Sequence, residues 1–140
     1  MRKLMTNIFL AYSATCIMGI TLYAQSYQGT AKVPFAFELR GVALPAGTYT
    51  VEETVSQMTD VRNASNGHTT FIQYAGYNEG KGPARLVFHR YGDRYFLAEI
   101  WSPAKKGTML KPSKAEKELM NAGSRDEAAV IVVSLGTKAD

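Results

Sequence analysis

Apolar residues at every second position, separated by short turn-forming stretches, dominate this chain from residue 27 onward. In the clearest case, Val33, Phe35, Phe37 and Leu39 alternate with polar or small residues. This pattern places the four side chains on one face of an extended segment. Pro34 has no backbone donor, so we expect an edge strand, or a bulge at that residue. Period-two alternation predicts sheets with one face packed on a core.

Turn signals divide the predicted strands into hairpins. The stretch Leu44-Pro45-Ala46-Gly47 is typical of a tight turn, because proline presets its own φ and glycine accepts a positive φ. Asn66-Gly67 predicts a two-residue hairpin turn of type I′, and Gly92-Asp93 predicts one of type II′. The glycine-rich residues 75–84 are expected to form a flexible loop.

The two later turns also predict the register of the strands that they join. A two-residue turn in the first of them sets Val61 opposite Ile72. A two-residue turn in the second sets Leu86 opposite Glu99, with Trp101 on the same face. Both faces of this second hairpin are apolar at the middle and polar toward the turn, so we expect it to be covered on both sides at its base, with its tip in water.

One helix signal and one further strand signal follow residue 112. Ser113-Lys114-Ala115-Glu116 is a capping box, in which the serine accepts a bond from a free amide and the glutamate reaches back to the serine amide. A short helix is expected over 114–120, with Gly123 placed to end it. The apolar run within 128–135 predicts a strand covered on both faces and paired with a distant strand.

Together these patterns predict a mainly β fold. We expect an antiparallel β-sandwich or flattened barrel of about seven to eight strands with one short C-terminal helix. Residues 25–140 are long enough for one hydrophobic core and too short for two, so they are expected to form a single domain.

Residues 1–24 are typical of a secretory signal peptide. Two basic residues precede a largely apolar stretch, and cleavage is expected after Ala24. Leu22 stands where a small residue is preferred at such a site. A segment that escaped cleavage would remain as a membrane anchor, so contact with a membrane is expected only in that case. The expected location is the periplasm or the outside of the cell.

Removal of this segment changes the net charge and the cysteine content of the remaining chain, and both restrict its possible functions. It lowers the net charge from +4 to +2, a small excess without the basic stripe that nucleic-acid binding requires. It also removes Cys16, the only cysteine, so the exported domain depends on burial for its stability. His68 and His89 are the only histidines and lie in different hairpins. The chain therefore has no zinc motif, and no metal or cofactor is expected.

Four segments, behind a predicted signal peptide, resemble a family of small, secreted, uncharacterised bacterial β-rich proteins. The segments are "KVPFAF" (32–37), "LPAGTYTV" (44–51), "LVFHRYGDRYFLAEIW" (86–101) and "SKAEKEL" (113–119). The resemblance spans most of residues 25–140. It implies export and a single domain, but it implies no activity, ligand or catalytic residue.

The hairpin at 86–101 concentrates the candidate binding residues, which are Arg90, Tyr91, Arg94, Tyr95 and Trp101. Read functionally, they form an aromatic and cationic patch for an anionic or sugar-like ligand. Read structurally, Arg90 over Tyr95 is a cross-strand cation–π pair and the aromatic rings pack. The structural interpretation is favoured because these residue types are common at hairpin ends.

Two classes of function follow from these patterns. The favoured one is an exported, non-enzymatic β-domain that binds an envelope partner or a small ligand. The alternative is a small periplasmic enzyme that uses Glu99 or His89 with neighbouring arginines. An enzyme needs those groups in a concave pocket, whereas a structural hairpin leaves the arginines in solvent. No catalytic residue is assigned from the sequence.

Overall fold

A computed structural model describes residues 27–54, 58–73, 75–103, 106–122 and 129–137. The predicted signal peptide and its cleavage site lie outside the described residues, as does Gly123. Within these ranges the chain forms twelve strands and one helix, which confirms the predicted mainly β fold. The elements are β1 (Gln28–Val33), β2 (Phe37–Leu39), β3 (Val42–Leu44), β4 (Gly47–Thr54), β5 (Met58–Asn63), β6 (Thr69–Gln73), β7 (Gly76–Glu79), β8 (Arg85–Tyr91), β9 (Arg94–Trp101), β10 (Lys106–Met109), α1 (Lys114–Asn121), β11 (Ala129–Ser134) and β12 (Gly136–Thr137).

The strands form two sheets. The five-stranded sheet has the order β12-β1-β4-β5-β6, and the seven-stranded sheet has the order β11-β8-β9-β10-β7 together with the β2–β3 hairpin. Pairing is antiparallel except for a single parallel bridge between Glu38 of β2 and Phe96 of β9. Neither sheet closes on itself in the described part of the chain, so the fold is a sandwich and not a flattened barrel.

The core lies between the inner faces of the two sheets. Each sheet presents alternate apolar side chains to the other, and the largest fully buried ones are worth about 1.5–3 kcal/mol each. Phe88 lies at the centre and contacts Phe35 and Phe37 edge-to-face, at ring-centroid distances of 5.1 and 5.2 Å. The buried residues of this core include Val33, Leu39, Tyr49, Val51, Val61, Ile72, Leu86, Phe88, Leu97 and Ile100.

Pro34 separates two strands that belong to different sheets. Val33, Phe37 and Leu39 are buried and Phe35 packs against the core, so the predicted alternation is confirmed. The prediction that this segment forms one edge strand is wrong. The segment forms two strands: β1 lies between β12 and β4 in the five-stranded sheet, and β2 belongs to the other sheet. A residue without a backbone donor stands where the chain crosses between them.

The tight hairpin between β2 and β3 was not predicted. Arg40 (φ 51°) and Gly41 (φ 87°) both have positive φ, as a type I′ turn requires. Arg40 is the one described non-glycine residue with this geometry. Gly47, which was expected to use its conformational freedom, instead begins β4 without a positive φ.

The hairpin between β5 and β6 forms, but its predicted register is wrong. Val61 lies opposite Thr70 and not opposite Ile72. Asn63 widens the turn: its Oδ1 accepts a bond from the amide of Ser65 at 2.8 Å, and its backbone carbonyl accepts one from Gly67 at 2.9 Å. Because the shift is two residues, each side chain keeps its predicted face.

The glycine-rich residues 75–84 contain a strand, so the prediction of a loop is wrong for part of them. Residues 76–79 form β7, which pairs with β10 and sets Tyr77 opposite Thr108. Pairing with a distant strand overrides the weak strand propensity of a glycine-rich sequence.

The last long strand, β11, pairs with β8, which confirms the prediction of a distant partner. The prediction that both faces are covered is wrong, since Val130 is 61% exposed and Val132 is 55% exposed. Leu135 is buried, and the chain then continues into β12 beside β1. Residues 129–137 therefore contribute a strand to each sheet.

The predicted short helix is present as α1. Ser113 is its N-cap, and the Ser113 hydroxyl accepts a bond from the Glu116 amide at 3.2 Å. Among the described residues, no helix has the length and apolar character needed to cross a membrane.

Candidate functional site

The β8–β9 hairpin has the predicted turn, with Gly92 at φ 61°. Near the turn the predicted register is confirmed, because Arg90 lies opposite Tyr95 and Phe88 lies opposite Leu97. Beyond that point a β-bulge changes the register. Leu86 therefore lies opposite Ile100, and the predicted pairing of Leu86 with Glu99 is wrong.

The bulge decides which side chains reach the core. An extra residue in β9 reverses the alternation of the residues that follow it. Ile100 turns inward and joins the core, whereas Glu99 and Trp101 lie on the outer face, away from the five-stranded sheet. The sequence contains no glycine or proline within β9 that would mark this position.

The five predicted binding residues do not share one face. Arg90 and Tyr95 lie on the side of the core, with the Arg90 guanidinium 5.6 Å from the Tyr95 ring centroid. This is the predicted cation–π pair. Tyr91, Arg94 and Trp101 lie on the outer face, where Tyr91 and Trp101 are buried. Their role in ligand binding stays a prediction, but the structure does not bring them together as one patch.

Trp101 is enclosed by its neighbours. Its Nε1 donates to Glu99 Oε2 at 2.6 Å, and the Arg85 guanidinium lies 4.3 Å from the ring centroid. A Cβ added at Gly80 or at Gly107 would come within 2.6 Å of the indole ring. Glu99 is thus held by the indole N–H as part of this packing.

His89 connects the outer face of the seven-stranded sheet to α1. Its Nδ1 lies 3.0 Å from Glu116 Oε1, and the Tyr91 hydroxyl donates to the same oxygen at 3.4 Å. The hydrogen bond to Glu116 raises the pKa of His89, with smaller contributions from the charges of Glu116 and Glu99, while burial lowers it. The Glu116 side chain is only 5% exposed.

A second contact holds the first turn of α1. Ser113 Oγ donates to Glu38 Oε1 at 2.9 Å, and Arg94 donates to Glu38 Oε2 at 2.9 Å. The predicted capping box is therefore half confirmed. The Ser113 hydroxyl caps the helix, but the Glu116 carboxylate binds His89 and Tyr91 and not the Ser113 amide.

The five-stranded sheet carries a polar groove of about 340 Å³ on its outer face. The groove lies across β1, β4, β5 and β6 and reaches the β5–β6 turn. It is lined by Gln28, Thr50, Glu52, Asp60, Arg62, Ala64, Gly67 and Thr69. Sequence signals for this groove are limited to polar residues that alternate with the buried Val51 and Val61. The sequence alone does not identify a site here, because the convergence of these residues depends on strand register.

Strand register explains why these side chains meet. Glu52 lies directly opposite Asp60, and Thr50 lies directly opposite Arg62. In the next pair of strands, Thr69 lies opposite Arg62. Side chains that are directly opposite on antiparallel strands have Cβ atoms about 4.5–5.5 Å apart. The groove therefore places acceptors, hydroxyls and one guanidinium within reach of a single small molecule.

Asp60 is the unusual member of this set. Its Oδ1 is buried and has no hydrogen-bond partner in the described part of the structure. An unpaired buried acceptor costs about 1–3 kcal/mol, and like charges directly opposite on neighbouring strands are also unfavourable. Asp60 is therefore held in the lining of the groove at a cost to stability.

No protein-family model, curated protein or solved structure matches this chain. The family resemblance of its four segments stays a prediction, and the function is inferred from the side chains themselves.

No group of three or more histidine, aspartate, glutamate or cysteine side chains that could hold a metal ion occurs among the described residues. His68 lies in the β5–β6 turn and His89 lies in β8, so the two histidines belong to different sheets.

Proposed function

We propose that this protein is an exported, non-enzymatic β-sandwich domain that binds a small polar ligand on the outer face of its five-stranded sheet. The observation that carries the proposal is the groove of about 340 Å³, whose lining combines the acidic Glu52 and Asp60 with the basic Arg62. A volume of this size lies near the lower end of the range of about 300–1,000 Å³ for small-molecule sites.

The lining of the groove suits recognition better than structural support. Arg62 supplies donors, Glu52 and Asp60 supply acceptors, and Thr50 supplies a hydroxyl that can do either. A ligand hydroxyl can donate to these acceptors and accept from Arg62, and hydrogen bonds to charged groups are worth about 1.5–3 kcal/mol each.

The groups that an enzyme would use are engaged in structural contacts on the other sheet. Glu99 accepts a hydrogen bond from Trp101, and His89 is bonded to Glu116 beneath α1. These contacts support the non-enzymatic function over the alternative of a small periplasmic enzyme. They also explain the acidic and imidazole side chains of the 86–101 hairpin without catalysis.

A ligand screen tests the proposal. Purified protein is heated with a panel of sugars, amino acids, polyamines and organic acids, and Tm is recorded for each. A ligand at 100 times its Kd stabilises the folded state by about 2.7 kcal/mol, which is a measurable rise in Tm. The same ligand should raise Tm little in Asp60→Asn, which removes the charge of the unpaired acceptor.

Asp93→Asn is the matched control, because Asp93 is an exposed residue in the β8–β9 turn. This variant should respond to the ligand as the wild type does. A ligand that raised Tm equally in both variants, or whose amide chemical-shift changes mapped to residues 86–101, would contradict the proposal.

A further inference from the structure

We infer that the ligand of the groove is a neutral saccharide whose hydroxyls bind Asp60 and Arg62 while a face of its ring stacks on Phe71. This inference rests on the proposed function and names the ligand class. Two features of the structure support the inference. One is a set of polar lining residues that contains both donors and acceptors, and the other is an aromatic side chain on the same face of the sheet.

The charges of the lining residues favour a neutral ligand. An anion would lie against Glu52 and Asp60, whose positions directly opposite each other concentrate negative charge. A cation would lie near the guanidinium of Arg62, which also lines the groove. A hydroxyl can donate to a carboxylate and accept from a guanidinium, so neighbouring hydroxyls of one sugar satisfy both kinds of group.

The spacing of the lining residues also fits a sugar ring. Adjacent strands lie about 4.8 Å apart, so side chains from β4, β5 and β6 form a row with that repeat. Thr50, Arg62 and Thr69 form one such row, and Glu52 and Asp60 begin the next one. A six-membered ring with hydroxyls around its edge is broad enough to contact two neighbouring strands at once.

Phe71 supplies the apolar half of the recognition. It lies directly opposite Asp60, on the same face as the groove, and it is 59% exposed. The next residue, Ile72, points to the core and is fully buried, so the orientation of Phe71 is fixed by the strand. The π face of an aromatic ring is electronegative and attracts the polarised C–H groups on one side of a sugar.

The test is isothermal titration calorimetry on the purified protein with neutral sugars: glucose, galactose, mannose, N-acetylglucosamine and their β- and α-linked disaccharides. Glucuronate and glucosamine serve as ring-matched anionic and cationic comparators. At least one neutral sugar should bind at least about tenfold more tightly than either charged comparator. A charged comparator that bound as tightly as every neutral sugar would overturn the inference.

Substitutions separate the two halves of the site. Phe71→Ala should raise Kd about tenfold, whereas Phe71→Tyr keeps the aromatic ring and should bind as the wild type does. Asp60→Asn should also weaken binding, with Asp93→Asn as its control. Because Phe71 is largely exposed, Phe71→Ala should fold normally, which circular dichroism verifies. Unchanged sugar affinity in Phe71→Ala would overturn the stacking and with it the inference.

The remaining outcomes distinguish this inference from the proposed function. If no sugar binds but another small molecule binds and shifts amide signals of β4, β5 and β6, the saccharide inference is wrong and the proposed function stands. If neither sugars nor the wider panel bind, both are wrong.

Discussion

Replacing Glu116 by glutamine should destabilise the protein in a pH-dependent way. Glu116 is buried, and its carboxylate binds His89 at 3.0 Å and Tyr91 at 3.4 Å. Glutamine preserves the shape and can still accept a hydrogen bond, so the change replaces a charge-assisted bond with a neutral one. Bonds to charged groups are worth about 1.5–3 kcal/mol and neutral ones about 0.5–1.5 kcal/mol.

The expected loss is about 1 kcal/mol at low pH, toward the lower end of that difference because the His89 side chain is 36% exposed to solvent. For a domain of this size, that loss corresponds to a fall in Tm of about 4 °C. The longer bond from Tyr91 adds little, since 3.4 Å is near the limit for a hydrogen bond.

The pH dependence follows from the raised pKa of His89 in the folded protein. A histidine whose folded pKa lies above its unfolded value of about 6.5 stabilises the fold fully below that value. The stabilisation is lost as the pH rises through the folded pKa. The difference in Tm between wild type and Glu116→Gln should therefore be larger at about pH 5 than at about pH 9.

The assay is thermal unfolding followed by circular dichroism at both pH values, with Glu118→Gln as the matched control. Glu118 is exposed on the same helix, so its substitution removes one charge without removing the contact with His89. If Glu116→Gln unfolded at the same temperature as Glu118→Gln at low pH, or if its deficit increased with pH, the charge-assisted contact would be refuted.

Three further substitutions test the fold. Ile72→Ala should lower the free energy of unfolding, measured in urea, by about 2–5 kcal/mol. Phe71→Ala, one residue away on the exposed face, should stay within about 0.5 kcal/mol of wild type. Equal effects of the two substitutions would contradict the assigned faces. Gly107→Ala should destabilise the protein and alter the fluorescence of Trp101, since its Cβ would overlap the indole ring, and an unchanged spectrum would contradict this packing. Ser113→Ala should cost about 1 kcal/mol, because it removes the cap of α1 and the contact with Glu38; an unchanged Tm would contradict the cap.

Features set by neighbouring residues were predictable from the sequence. The alternation around Pro34, the turn at Gly92 and the cap at Ser113 each depend on a few adjacent side chains, and the structure contains all three. Near the turn, the pairs of the β8–β9 hairpin also follow directly from the turn type.

Features set by distant pairing were not predictable in the same way. Nothing adjacent to Ala98 marks the bulge that turns Glu99 and Trp101 to the outer face. The strand β7 forms because β10 lies beside it, although its own sequence is rich in glycine. The exposure of Val130 and Val132 depends on what packs over the outer face of β11, which the sequence of the strand does not specify.

The candidate groove was predictable from the sequence only in part. Its polar residues are visible as the alternate positions of β4 and β5, opposite the buried Val51 and Val61. Their meeting in one site requires Glu52 to lie opposite Asp60, and no tight turn in the sequence specifies that register. The type of side chain was therefore predictable, but the site was not.

The C-terminal strands have a consequence for how this molecule is made. Residues 129–137 supply β11 to one sheet and β12 to the other, and the Leu135 amide between them donates to the Ala84 carbonyl at 3.0 Å. Until this stretch is in place, β8 and β1 each lack one of their neighbouring strands. Assembly of the finished domain therefore requires residues 129–137 to pair with strands from distant parts of the chain.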